Sequence, residues 1–257
     1  MCYTISIKNC PDPADQAPRI RQETAMSGND FVKYSDLMNV KGADPETDKE
    51  KFVCLPENGE YVFGRYMEGE DMAELTSLLP VRKTVYEKLM NVGRKLHALD
   101  PNYRLLVTYA FREMRIQQKG FEEVKKYFEE QFEFEDQVAL YERAHEKVAV
   151  PEVAGHPTGG AVDVAIYDDS KGDILDFGTK IDDLTDLIYY AAEDISDEAK
   201  KNRRILREAM LAEGFAPYDG EWWHFCYGDK EWAFYYKKDR ALYNQVYSLE
   251  DLDMETK

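Results

Sequence analysis

From Val81 the apolar positions recur in three- and four-residue steps, at Val81, Val85, Leu89, Val92, Leu96 and Leu99. That spacing predicts an amphipathic helix with Pro80 near its first turn and Asp100-Pro101-Asn102 at its end. The apolar run from Leu105 to Phe111, entered at Arg104, reads as a strand with Arg112 at its end. Met114 to Val148 is charged and helical in composition, with Phe121, Val124, Phe128 and Phe132 as a core-facing stripe. Val162, Val164 and Ile166 then alternate with Asp163, Ala165 and Tyr167, the period of a strand whose second face carries Asp163. A strand pair continues through Asp173 to Phe177. Ser196 is an N-cap followed by Asp197 and Glu198, with Gly214 as the helix stop and Ile205, Leu206, Ala209 and Met210 facing the core. The aromatic stretches Glu221 to His224 and Glu231 to Tyr236 read as closing strands, and Leu249 to Lys257 as a polar tail.

Upstream of Pro80 the pattern weakens. Residues 1 to about 50 are rich in Pro, Asp, Asn and Gln, with only short strand-like pieces at Tyr3 to Ile7 and Phe31 to Tyr34. Phe52 to Leu55 and Glu60 to Tyr66 flank Pro56-Glu57-Asn58-Gly59, a hairpin signal. We therefore divide the chain into an irregular N-terminal extension, residues 1–79, and a main domain, residues 80–257. Long helices followed by strands on short turns imply an α+β fold with a mainly antiparallel central sheet flanked by helices.

The net charge of -18 repels phosphate, which argues against nucleic acid and anionic membrane as partners. No stretch has the form of a signal peptide or the length of a membrane span, so a cytoplasmic protein is expected. Cys2, Cys10, Cys54 and Cys226 form no C-x-x-C pair, which points away from a disulfide framework and from a thiolate metal site.

The candidate chemistry lies in two stretches. Gly155-His156-Pro157-Thr158-Gly159-Gly160-Ala161-Val162-Asp163 offers an imidazole and, after a glycine pair that lets the chain fold back, a carboxylate at a strand start. Gly220-Glu221-Trp222-Trp223-His224-Phe225 offers a second imidazole and a spare carboxylate. Together they supply a catalytic zinc site: His156, Asp163 and His224 as ligands, with Glu221 as general base. Residues three apart on a regular strand face opposite ways, so Glu221 and His224 share a site only across a bend or bulge. The aspartate ligand leaves other divalent ions open. His97 and His145 lie on helical stretches without such context and are taken as structural.

His156, Gly159, Ala161 and Asp163, followed by Glu221, Trp222, Trp223 and His224, form a pattern that resembles the zinc D-alanyl-D-alanine dipeptidases of the VanX type. These stand within the wider zinc D,D-peptidases that share a fold with the Hedgehog signalling domain. Asp176-Phe177-Gly178-Thr179 with Asp182, and the lead-in Glu213-Gly214-Phe215, are similar to further family segments. The resemblance implies the same α+β fold, one Zn2+ per chain and a small peptide substrate ending in D-Ala. It also implies that Arg112 stabilises the oxyanion, in the place of a family arginine whose usual context is Y-R-P; here Glu113 replaces the proline, the tyrosine is Tyr109, and Arg115 is a rival. Asp176 either positions a histidine or a substrate amine, or caps the turn before Gly178. Ala154 stands where the family dipeptidases have a serine that helps hold the substrate's amino terminus. The expected activity is therefore D-Ala-D-Ala hydrolysis, with a D,D- or L,D-carboxypeptidase on peptidoglycan peptides, or a non-catalytic zinc-stabilised binding module, as alternatives.

Overall fold

The computed structural model describes residues 31–255 other than 47, 68 and 184, so the expected Tyr3 to Ile7 strand lies outside the described residues. Its first half runs through helix α1 (Tyr34–Met38), strands β1 (Phe52–Cys54), β2 (Val62–Gly64) and β3 (Pro80–Arg82), helix α2 (Lys83–Leu99) and strand β4 (Tyr103–Tyr109). Helices α3 (Met114–Gln131) and α4 (Gln137–His145) follow, then strands β5 (Ala161–Asp168) and β6 (Asp173–Ile174). The chain closes with helix α5 (Asp197–Leu211), strands β7 (Ala216–Pro217) and β8 (His224–Cys226), and helix α6 (Lys230–Tyr235).

The main sheet has the order β2-β4-β5-β8-β7, with β6 also paired to β5. It is antiparallel except where β2 runs parallel to β4. The fold is thus α+β with a mainly antiparallel central sheet. The α2 stripe Val85, Leu89, Val92 and Leu96 is fully buried and packs with Leu105, Val107, Val162, Val164, Leu206 and Met210, the contact that seats α2 and α5 on the sheet. Leu99, the last position of that stripe, stays 66% exposed because the helix ends there. Phe121 and Phe128 of α3 bury themselves in a second cluster with Leu140 and Ala144 of α4. Phe132, just past the end of α3, remains 48% exposed. Ser196 caps α5 by accepting from the Ala199 amide. Among the described residues no helix is long and apolar enough to cross a membrane.

Four local expectations are corrected. Pro80 opens β3 rather than the helix, and its strand pairs with β1. Phe52–Cys54 and Val62–Gly64 do not form a hairpin: β1 joins β3 and β2 joins β4. The Asn58-Gly59 turn is instead pinned across to β4, where Arg104 Nη1 donates to Asn58 Oδ1 (3.0 Å) and to the Gly59 carbonyl (3.1 Å). Phe31 to Tyr34 forms no strand; Tyr34 starts α1. The expected strand Glu231 to Tyr236 is instead helix α6 (Lys230–Tyr235), because Asp229 caps it, its side chain accepting from the Trp232 amide at 2.8 Å, and this N-cap overrides the strand-like aromatic composition.

Candidate metal centre

The sheet register assembles the site. On β5 Asp163 lies opposite His224 of β8, and on its other side opposite Tyr109 of β4. The β4–β5 pairing slips between Val107 and Tyr109, leaving Thr108 as the extra residue, and its hydroxyl donates to the Asp163 carbonyl at 3.2 Å. A bend does intervene between Glu221 and His224: Trp222 and Trp223 form a turn in which the His224 amide donates to the Glu221 carbonyl at 3.3 Å. Trp222 locks that turn by stacking on Phe177 (4.1 Å between ring centres) and donating its indole N–H to Thr179 Oγ1 at 2.9 Å. Glu221 Oε2 consequently stands 4.0 Å from His224 Nδ1.

His156 begins a short 3-10 turn, His156–Thr158, which ends at Gly159 with φ +71°. A side chain at Gly159 would meet the Phe52 ring, Cβ lying 2.2 Å from Cε1, so both the backbone angle and the packing require glycine here. Arg82, buried, ties the turn down: its Nε donates to the Thr158 carbonyl (2.9 Å) and its amide to the Gly159 carbonyl (3.0 Å). His156 Nδ1 lies 2.8 Å from the Ala110 carbonyl. A carbonyl can only accept, so Nδ1 carries a proton and Nε2 is the nitrogen that faces Asp163, 3.4 Å from its Oδ2.

His224 Nδ1 lies 3.0 Å from Asp163 Oδ1, and one ligand atom from each of His156, Asp163 and His224 falls within 4.8 Å of the others. Two imidazole nitrogens and a carboxylate oxygen suit a borderline divalent ion such as zinc. Burial alone would raise the Asp163 pKa, yet the two histidines hold it well below the carboxylate range. Burial lowers His156. His224 is opposed by burial but lifted to about 9 by its hydrogen bond to Asp163. Burial pushes Glu221 up to about 7, with His224 pulling the other way and Asp163 and Asp182 adding to the rise.

Arg112 reaches the same neighbourhood. Its amide donates to the His156 carbonyl (3.4 Å), and its guanidinium lies over the Tyr109 ring, 4.4 Å from the ring centre. The rival, Arg115, is 67% exposed and pairs with Glu113.

With this geometry in view, a family model described as D-ala-D-ala dipeptidase matches residues 69–248. The chain belongs to that family. A D-alanyl-D-alanine dipeptidase of Synechocystis is 28% identical over 189 residues, covering 65% of this chain and 76% of that protein. One of Enterococcus faecium is 34% identical over 77 residues, covering 30% of this chain and 38% of that protein. Among solved structures, the vancomycin-resistance D,D-pentapeptidase VanY in complex with Zn(II) is 17% identical, covers 80% of this chain and 96% of that chain, and superposes with a TM-score of 0.40.

Near the start of the stretch shared with the D-ala-D-ala dipeptidases stand two acids that no periodicity marks, Glu70 and Asp71. Asp71 Oδ1 accepts from the Tyr109 hydroxyl at 2.8 Å. Glu70 hydrogen-bonds Asp182, and both are raised, chiefly by burial. Asp182, the last acid of the D-F-G-T-x-x-D segment, sits with positive φ (62°) and interacts electrostatically with Asp163 and Arg112. Asp176 does not join them. It is exposed and caps its own turn, accepting from the Gly178 amide (2.8 Å) and the Ser196 hydroxyl (3.0 Å). The two aspartates also differ in backbone, Asp182 alone having a positive φ, which composition does not reveal.

Proposed function

We propose that the chain is a one-zinc peptidase that hydrolyses D-Ala-D-Ala or a short peptide ending in D-Ala, with His156 Nε2, an Asp163 oxygen and His224 Nδ1 holding the metal. The observation that carries this reading is the convergence of those ligand atoms with the His156 tautomer already set by the Ala110 carbonyl. Bound there, zinc supplies Lewis acidity that polarises the scissile carbonyl and makes water acidic at neutral pH. Glu221 takes the proton from the attacking water and returns it to the departing amine, a task suited to a carboxyl whose pKa lies near 7. Arg112 donates to the oxygen that gains charge as the tetrahedral centre forms.

A dipeptide presents a free ammonium group. The Glu70–Asp182 pair offers it an anionic partner beside the reacting centre, which favours a free dipeptide over an amine-blocked peptide. Ala154 brings no hydroxyl to that task; it is buried, and its carbonyl accepts from Gln245 Nε2 at 2.9 Å.

The test is metal content by mass spectrometry, together with D-alanine release from D-Ala-D-Ala before and after chelation. One zinc per chain with chelator-sensitive release is the expected result. Zinc without release from the dipeptide, but with release from an amine-blocked peptide, would transfer the reading to a carboxypeptidase. Protein that takes up no divalent metal would end it.

A further inference from the structure

We infer that Asp71, Tyr109 and Gln117 are positioning residues that aim the Arg112 guanidinium, an inference that rests on the peptidase reading above. Arg112 is reached from both sides. Its Nε donates to the Tyr109 hydroxyl oxygen at 3.1 Å and its Nη1 to Gln117 Oε1 at 2.9 Å. Neither acceptor is free to turn away. The single Tyr109 proton goes to Asp71 Oδ1 at 2.8 Å, which leaves an oxygen lone pair for Arg112. Gln117, 1% exposed, donates its Nε2 to the Ala149 carbonyl at 2.7 Å, so only its oxygen can face the guanidinium.

The clamp spans four separate parts of the chain. Asp71 opens a 3-10 turn and also accepts from the Met72 amide at 2.9 Å. Tyr109 ends β4 beside the metal-ligand row, its ring 5.2 Å from that of His156. Gln117 lies in the first turn of α3, and Ala149 lies just before the segment that carries His156. Two of the guanidinium's N–H groups are thereby committed to protein, and the plane they define directs the remaining ones. A long side chain without such anchors would lose rotamer freedom each time it met the transition state; here that ordering is complete beforehand. The clamp also accounts for the departure from Y-R-P, because the tyrosine three residues earlier is the one that holds the arginine.

The experiment is a set of double-mutant cycles on metal-loaded enzyme with D-Ala-D-Ala, using Asp71→Asn, Tyr109→Phe and Gln117→Ala alone and combined with Arg112→Ala. Each single change is expected to lower kcat by roughly 10- to 100-fold, with KM and zinc content little altered. In the Arg112→Ala background the same changes are expected to have almost no further effect, because residues that act through one group are not additive. Full additivity would overturn the inference, since a merely structural role costs the same with or without the arginine. If Arg112→Ala itself leaves kcat unchanged, the assignment of Arg112 in the peptidase reading fails instead.

A second readout works without turnover. The Arg112 Nε–H, followed by NMR in protein labelled at arginine nitrogen, is expected to exchange slowly with water in the unaltered chain and faster in Tyr109→Phe. Equal exchange in the two proteins would overturn the clamp whatever the activity.

Discussion

Asp163 on β5 and His224 on β8 are directly paired across the sheet, with His224 Nδ1 3.0 Å from Asp163 Oδ1. On the proposed reading both groups are metal ligands, and without metal they satisfy each other as an ion pair. Metal must therefore displace a proton. His224 has its pKa raised to about 9, so it is protonated at neutral pH in the metal-free chain. Metal uptake at pH 7 is expected to release roughly one proton per chain from this histidine, and apparent affinity to climb by about tenfold per pH unit until it flattens near the His224 pKa. Calorimetric titration in two buffers of different ionisation enthalpy counts the proton; an uptake independent of buffer would contradict the pairing.

Glu221 is expected to be needed for turnover and not for metal. Glu221→Gln should keep the full metal content and lose roughly 10²- to 10⁴-fold in kcat. As the proposed base Glu221 would work ionised, and burial pushes its pKa up to about 7. A nearby cation lowers a carboxyl pKa, so kcat/KM of the unaltered enzyme should rise with pH through an acid limb at or below about 7. Retained activity in the glutamine variant removes Glu221 from the mechanism.

Gly159 is the backbone hinge of the His156 turn. Alanine there must adopt φ +71° and place its Cβ against the buried Phe52 ring. The expected cost of the backbone strain alone is about 1–3 kcal/mol of stability. Because the same turn presents His156, metal affinity should fall along with the thermal midpoint. A Gly159→Ala protein with unchanged midpoint and metal binding would show that the turn tolerates a side chain.

The Glu70–Asp182 pair is expected to act on the substrate's ammonium group. Asp182→Asn should raise KM for D-Ala-D-Ala by roughly 10- to 100-fold, the range of a lost charge-assisted hydrogen bond of about 1.5–3 kcal/mol. The same change should barely alter any hydrolysis of an amine-blocked peptide. An equal effect on both substrates would point to damage of the loop rather than to recognition of the amine.

Local rules on the sequence were enough for much of the fold and for picking out His156, Asp163 and His224, which the structure brings together. The α2 stripe, the Ser196 cap and the β5 alternation each depend on neighbours within a turn or two, where periodicity and capping operate. His156 and Asp163 are close in sequence across a glycine turn, and the bend before His224 followed from the requirement that Glu221 share its site. Local rules failed where two signals competed, as at Lys230–Tyr235, where the Asp229 cap outweighed aromatic composition. The tertiary structure alone decided which partners the strands chose. Val62–Gly64 gave up its near neighbour for β4, and Asp71 reached Tyr109 across 38 residues. It also separated Asp176, which caps its own turn, from Asp182, which pairs with Glu70. The reason is physical: a carboxylate carries the same chemistry wherever it stands, and only the packing of distant segments determines whether water, a backbone amide or another side chain becomes its partner.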